Sequence, residues 1–136
     1  MISTKGRYAL RVMLDLVEHQ NGAYIPMKEV AERQDISLKY LEKILPMLSQ
    51  KNLVTAVHGK GGGYCLTKEP ENYTVWEILQ AAEGDMAPVA CLSGEGQCPR
   101  SDQCHTLPMW EGYYRLTREY FEKITLKDLT ANKKQI

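Results

Sequence analysis

The chain has 136 residues, 43% of them hydrophobic, with 17 Lys+Arg against 17 Asp+Glu. That length holds one domain, or one domain with an appended element, and that apolar fraction excludes a disordered chain. No run of 18 apolar residues occurs, and the opening residues 1–6 lack an apolar signal core, so a cytoplasmic protein without membrane association is expected.

The zero net charge hides an asymmetry. Residues 1–68 carry 10 Lys+Arg and 6 Asp+Glu, whereas residues 69–136 carry 7 and 11. Between 37 and 68 the bias sharpens to Lys39, Lys43, Lys51, Lys60 and Lys68 against Glu42 alone. A local basic face, rather than total charge, is what phosphate binding requires.

Leu10, Met13, Leu14 and Val17 share one face of a helix over 7–19, which Asn21-Gly22 ends. Pro26 opens a short helix with Val30 and Ala31 on its buried side, ending near Arg33. After a tight connection at 34–36, Ser37 is the N-cap of a third helix carrying Leu41, Ile44, Leu45 and Leu48 at i, i+3, i+4 and i+7. Pro46 is expected to kink or weaken that helix. The β-prone run 53–57, a glycine-rich turn 58–63 and the run 64–66 read as a hairpin with a flexible tip. Thr74 and Glu77 form a capping box for a helix through Val75, Ile78, Leu79 and Ala82, closed by Gly84. Residues 85–105 hold little periodic apolar content and are expected to form a loop, unusually long for a small domain unless functional or disordered. From about Thr106 a long helix carries Trp110, Tyr113, Tyr114, Thr117, Phe121 and Ile124, and Thr125 with Asp128 marks a further short one.

Three short helices followed by a hairpin with a basic tip are the element order of a winged helix-turn-helix. The expected class is therefore mainly α with a small β hairpin: a winged helix-turn-helix at 1–84, a cysteine-rich segment at 85–105, and a long C-terminal helix with its tail at 106–136. The third helix would enter the major groove N-terminus first, presenting Ser37, Lys39, Tyr40, Glu42 and Lys43 to double-stranded DNA. Lys39 and Lys43 can neutralise phosphates or donate to guanine, and Tyr40 can donate to a phosphate. Glu42 can accept from a cytosine amino group, a contact that specifies more than it tightens. At the hairpin tip His58 and Lys60 supply donors among glycines that let backbone N–H groups approach a phosphate. No Ser/His/Asp set, carboxylate pair or P-loop occurs, so an enzyme is not expected. A small electron carrier remains the reading from another class, although it would have no use for Lys39, Tyr40 and Glu42 on an exposed helix.

Three stretches carry a family likeness. Residues 2–10 (Ile-Ser-Thr-Lys-Gly-Arg-Tyr-Ala-Leu), the run from Ala31 to Glu42, and the wing from Gly59 to Tyr64 resemble IscR-type regulators, and the order of elements through Leu126 matches as well. The resemblance implies a bacterial winged-helix transcription factor, dimeric through its long C-terminal helix, with Lys39, Tyr40, Glu42 and His58 at or near a pseudo-palindromic operator. It also implies an iron–sulfur cluster on three loop cysteines, sensing cluster status or redox or nitrosative stress. Two-iron–two-sulfur is expected ahead of four-iron–four-sulfur.

Cys91, Cys98 and Cys104 fit that role as C-x6-C-x5-C, since thiolates are the usual cluster ligands. The first gap holds six residues where the regulators it resembles typically have five. Leu107 stands where they can carry a ligand histidine, three positions after the last cysteine, and His105 is one position after it. Arg7 occupies the place of the N-terminal aspartate that nitric-oxide-sensing relatives use. The fourth ligand thus stays open among His105, Asp102, Glu95 and solvent. Bare thiols and a Cys3His zinc site remain alternatives, as does a cluster-independent regulator of the same fold controlled by thiol oxidation or a partner protein. Cys65, in the wing strand, is given no ligand role. The aromatic stripe of the long helix must pack on something, either its own winged unit or the same helix of a second chain. Because the cysteine segment joins the capped helix to the long one, ordering it about a ligand would fix the angle between them.

Overall fold

The computed structural model describes residues 2–93 and 99–131. In chain order they form α1 (Thr4–His19), α2 (Met27–Gln34), α3 (Leu38–Gln50), β1 (Val54–Val57), β2 (Gly63–Leu66), α4 (Val75–Glu83), α5 (Leu107–Glu122) and α6 (Leu126–Ala131). Short 3-10 turns at Pro70–Asn72 and Ala90–Leu92 precede α4 and interrupt the cysteine segment.

The core forms where α1, α3 and α4 meet. Met13, Leu16, Leu41, Leu48 and Ile78 are fully or almost fully buried there, and Val30 closes α2 onto it. Three helices, α3, α4 and α6, have their expected local stops or starts. Ser37 accepts from the Tyr40 N–H at 3.1 Å. Thr74 accepts from the Glu77 N–H at 3.2 Å and stands 3.3 Å from its carboxylate, and the Gly84 N–H closes α4 on the Gln80 carbonyl. Thr125 and Asp128 cap α6 reciprocally at 3.0 and 3.1 Å. Pro46 lies inside α3 without ending it, since the helix runs on to Gln50. Pro46 and Glu42 are both exposed, so water can serve the carbonyl that the missing N–H leaves open, while the buried Ile44, Leu45 and Leu48 hold the helix to the core. α1 begins earlier than its apolar pattern implies, because Ser3 caps it.

The hairpin pairs β1 with β2 antiparallel, from Val54 opposite Leu66 to Val57 opposite Gly63. Ile25, just before α2, adds a bridge to Tyr64 with both hydrogen bonds at 2.9 Å. That approach requires glycine at 63, where φ is +152° and a Cβ would overlap the Ile25 carbonyl.

A second junction closes the base of the molecule. The Glu83 carboxylate accepts from the Ser3 N–H and hydroxyl, both at 2.7 Å, and from the Gly6 N–H at 2.9 Å. It caps α1 from the last residue of α4, and a Cβ on Gly6 would lie 2.6 Å from its Oε1. Burial opposes ionisation, but the bonds from Ser3 and Gly6 outweigh it and hold the carboxyl below its ordinary range. The cysteine segment therefore leaves α4 from a point pinned to the start of α1.

Candidate nucleic-acid interface and cysteine segment

Lys39, Glu42 and Lys43 project from the exposed side of α3, opposite the face that Leu41, Ile44, Leu45 and Leu48 bury. Ser37 is exposed at the helix start, with its oxygen engaged as the cap. Tyr40 is half-buried and meets the Tyr8 ring edge-on, with centroids 5.3 Å apart, while the Arg11 guanidinium lies 5.1 Å from that same Tyr8 ring. Beyond β1, His58 and Lys60 are exposed in the turn that leads to β2. The seven residues named from sequence thus divide between the first two turns of one helix and the hairpin tip.

What orients that helix escaped the sequence reading. Asp15, its side chain wholly buried on α1, accepts from Arg33 through both oxygens, at 2.7 and 3.1 Å, and from the Gln34 amide at 2.9 Å. Burial pushes its carboxyl up, but the hydrogen bonds from Arg33 and Gln34 and the charge of Arg33 prevail, so it stays below its ordinary value. Arg11 donates to the Gln34 carbonyl and, at 3.3 Å, to its side-chain oxygen. The end of α2 and the turn into α3 are therefore clamped to α1 by charged groups. The available signal was an acidic residue on the apolar face of α1, between Val12 and Leu16, which demands a partner once buried.

Cys91 sits half-buried in the 3-10 turn Ala90–Leu92, and Cys104 is half-exposed three residues before α5. Both are outside any disulfide, as is Cys65, which is half-buried on β2 opposite Thr55. Cys98 and Glu95 lie outside the described residues. Among the described residues no three His, Cys, Asp or Glu side chains come together as a metal site. The Thr106 hydroxyl, 3.3 Å from the Cys104 sulfur, and then the Thr106 and Leu107 N–H groups at the start of α5 hold that thiol below its ordinary value. That donor chemistry fits a thiolate ligand. Asp102 and His105 are exposed, and Leu107 is half-buried.

Along α5, Tyr114 packs on Trp76 of α4 at 6.0 Å between centroids, with Arg118 on the same indole. The opposite side is open: Met109, Tyr113, Leu116 and Tyr120 are more than half exposed. Tyr113, Leu116 and Tyr120 line a groove of about 510 Å³ that continues to Met86 and Ile2.

A three-helix unit whose second and third helices are joined by a tight turn, followed by an antiparallel hairpin with an exposed basic tip, is a winged helix-turn-helix. The Rrf2 family model, described as iron-dependent transcriptional regulator, matches residues 2–132, and the chain belongs to that family. It is 35% identical over 131 residues to the HTH-type transcriptional regulator IscR of Sodalis glossinidius, covering 96% of this chain and 79% of the relative. With IscR of Escherichia coli K12 the identity is 34% over 131 residues, covering 96% and 80%. Among solved structures, T. potens IscR superposes with a TM-score of 0.77 at 31% identity, covering 99% of this chain and 89% of that one. CymR, described as the global cysteine regulator of B. subtilis, gives 0.75 at 31% identity and 96% coverage of each. The protein is thus a transcriptional regulator that binds DNA, and not an enzyme. Among the described residues no helix is long and apolar enough to cross a membrane.

Proposed function

We propose that this protein is a cytoplasmic, dimeric regulator in which residues 1–84 read a pseudo-palindromic operator, 85–105 sense a signal, and 106–136 join two copies. Lys39, Lys43, His58 and Lys60 would neutralise phosphates, Tyr40 would donate to one, Ser37 would contact the backbone beside the helix start, and Glu42 would read a base edge. The open side of α5 supports the dimer, because an aromatic groove of that size is a cost unless a second copy covers it.

Cys91, Cys98 and Cys104 would hold an iron–sulfur cluster, with the fourth position open to His105, Asp102, Glu95 or solvent. The observation that carries this reading is Cys104. Its sulfur is half-exposed and favoured as thiolate by Thr106 and the start of the helix that would form the dimer. When bound, the cluster would supply iron–sulfide bonds sensitive to oxidants and nitric oxide. The chain's own contribution is to hold thiolates on the segment between Glu83, pinned to α1, and Leu107, the first residue of α5.

An ultraviolet–visible spectrum with iron and sulfide assay, on protein purified without air beside Cys98→Ala, tests it. Visible bands lost in the variant are expected. A second reading, control by thiol oxidation without a cluster, draws on the same low-lying Cys104 thiol and on Leu107 in the histidine's place. Protein that stays colourless after reconstitution would replace the first reading with the second.

A further inference from the structure

Tyr73 is the largest fully buried side chain among the described residues, and no site reading uses it. A buried phenol needs partners for its hydroxyl, and here every partner belongs to the root of the wing. The hydroxyl donates to the Leu53 carbonyl at 2.7 Å, just before β1, and accepts from the Thr67 and Lys68 N–H groups at 2.8 and 3.1 Å, just after β2. Thr67 reinforces the closure by donating through its own hydroxyl to the Asn52 carbonyl at 2.7 Å. The Lys68 ammonium lies 4.8 Å from the Tyr73 ring centroid and pairs with Glu77 of α4 at 2.6 Å. The backbone of Tyr73 faces the other way: its carbonyl accepts from the Leu126 N–H at 3.1 Å, where the chain leaves α5 for α6.

We propose that Tyr73 is a positioning residue for DNA binding, whose hydroxyl fixes the wing root and so sets the wing tip relative to the recognition helix α3. The proposal rests on the reading above that the tip meets phosphate. A two-stranded hairpin of four residue pairs does not hold its own direction in water. This one is steered at its flank by Ile25, at its junction with α3 by the Leu53 N–H on the Leu48 carbonyl, and at its base by Tyr73. The strands give the tip a lever of roughly 13 Å, so a tilt of about 10° at the root displaces it by about 2 Å. That exceeds the tolerance of a hydrogen bond to phosphate. Tyr73→Phe keeps the ring in the core and removes only the closure.

The test uses a duplex selected by the wild-type protein from a random-sequence library, with binding measured across a series of salt concentrations. For Tyr73→Phe the expected result is faster amide exchange at Thr67 and Lys68, affinity lower by about tenfold, and a salt slope smaller by about one phosphate contact. A smaller folded fraction would weaken binding but leave that slope untouched. Adding Lys60→Ala is expected to cost little more, whereas adding Glu42→Ala acts independently. Should Tyr73→Phe fail to fold, Thr67→Val, which severs the Asn52 tie from the exposed side, is expected to shift the slope the same way by less. A wild-type slope in both variants, or full additivity with Lys60→Ala, overturns the proposal while leaving the wing reading intact. If Lys60→Ala and His58→Ala leave affinity and slope unchanged, the wing reading fails, and the role of Tyr73 fails with it.

Discussion

α1 and α5 are both 16 residues long and both amphipathic, yet α1 buries six residues and α5 none. α1 is covered on three sides, by α2, α3 and α4, and even a carboxylate, Asp15, is accommodated there because Arg33 and Gln34 meet it. α5 packs on Trp76 of α4 and on the turn Ala90–Leu92, while Leu116 at 66% and Tyr120 at 63% stay exposed. Similar patterning with such different burial means that the winged-helix unit completes its core within one chain. The long helix has apolar side chains that the described residues leave more than half exposed. Stability is expected to reside in the first region and assembly in the second.

The largest expected effect falls in the complete region. Asp15→Ala removes both oxygens that hold Arg33 and strands the Gln34 amide, and should cost about 3 kcal/mol, the low end for breaking a buried pair because Arg33 is 31% exposed and can reach water. Urea unfolding at neutral pH measures it. A loss under 1 kcal/mol would mean that α2 is held by apolar packing alone. The acid limb sharpens the point. Because the folded carboxyl lies below its ordinary value near 3.8, the unfolded chain binds the proton first. The stabilisation is full above that value and disappears as pH falls through the folded one. Asp15→Asn should flatten that limb of the stability curve, and an unchanged limb would place the acid sensitivity elsewhere.

Next comes the uncovered helix. Leu116→Asp puts a charge among the side chains lining the groove without touching Trp76 or the core. If a second copy covers that face, sedimentation should show a monomer with an unchanged unfolding midpoint at high dilution. Operator affinity should drop on the order of 100-fold, as one half-site is lost. A dimer that survives Leu116→Asp would move the interface off α5 and remove the distinction between the two helices.

How much of this could be read in sequence follows the reach of each interaction. Ser37, Thr74, Gly84 and the Thr125–Asp128 pair act within four residues, and all were legible. The hairpin followed from short β-prone runs around glycines. The Asp15–Arg33 clamp spans 18 residues, the Leu53–Tyr73 closure 20, and the Ser3–Glu83 junction 80, so no local pattern reports them. On α5 the stripe from Trp110 to Phe121 was visible, although the helix ends at Glu122, short of Ile124; its division was not. Periodicity does not say that α4 takes Tyr114 and leaves Tyr113, nor that Met109, Leu116 and Tyr120 stand open. At Pro46 the helix continues, held to the core by the apolar side chains buried on either side of it. Of the proposed ligands, Cys91 and Cys104 flank a segment whose central cysteine lies outside the described residues. In the cysteine segment, therefore, residue chemistry says more than geometry.

The smallest effects are expected within the reading face itself, where two neighbours on one helix should fail in different ways. Lys39 and Glu42 are both exposed on the first turns of α3 and hold no core residue in place, so neither alanine variant should shift the unfolding midpoint. Lys39→Ala should weaken binding to specific and random duplexes alike, by several-fold, and lower the salt slope by about one. In the proposed reading, Glu42→Ala removes a carboxylate that repels phosphate and would accept from a base-edge donor. It should therefore change affinity by less than about 1 kcal/mol on the selected duplex while narrowing the gap to singly substituted duplexes at one position per half-site. Binding across a set of single-base variants separates the two outcomes. A uniform loss for Glu42→Ala would make it a charge that shapes the local field, and the burden of sequence reading would pass to Lys43 and Tyr40.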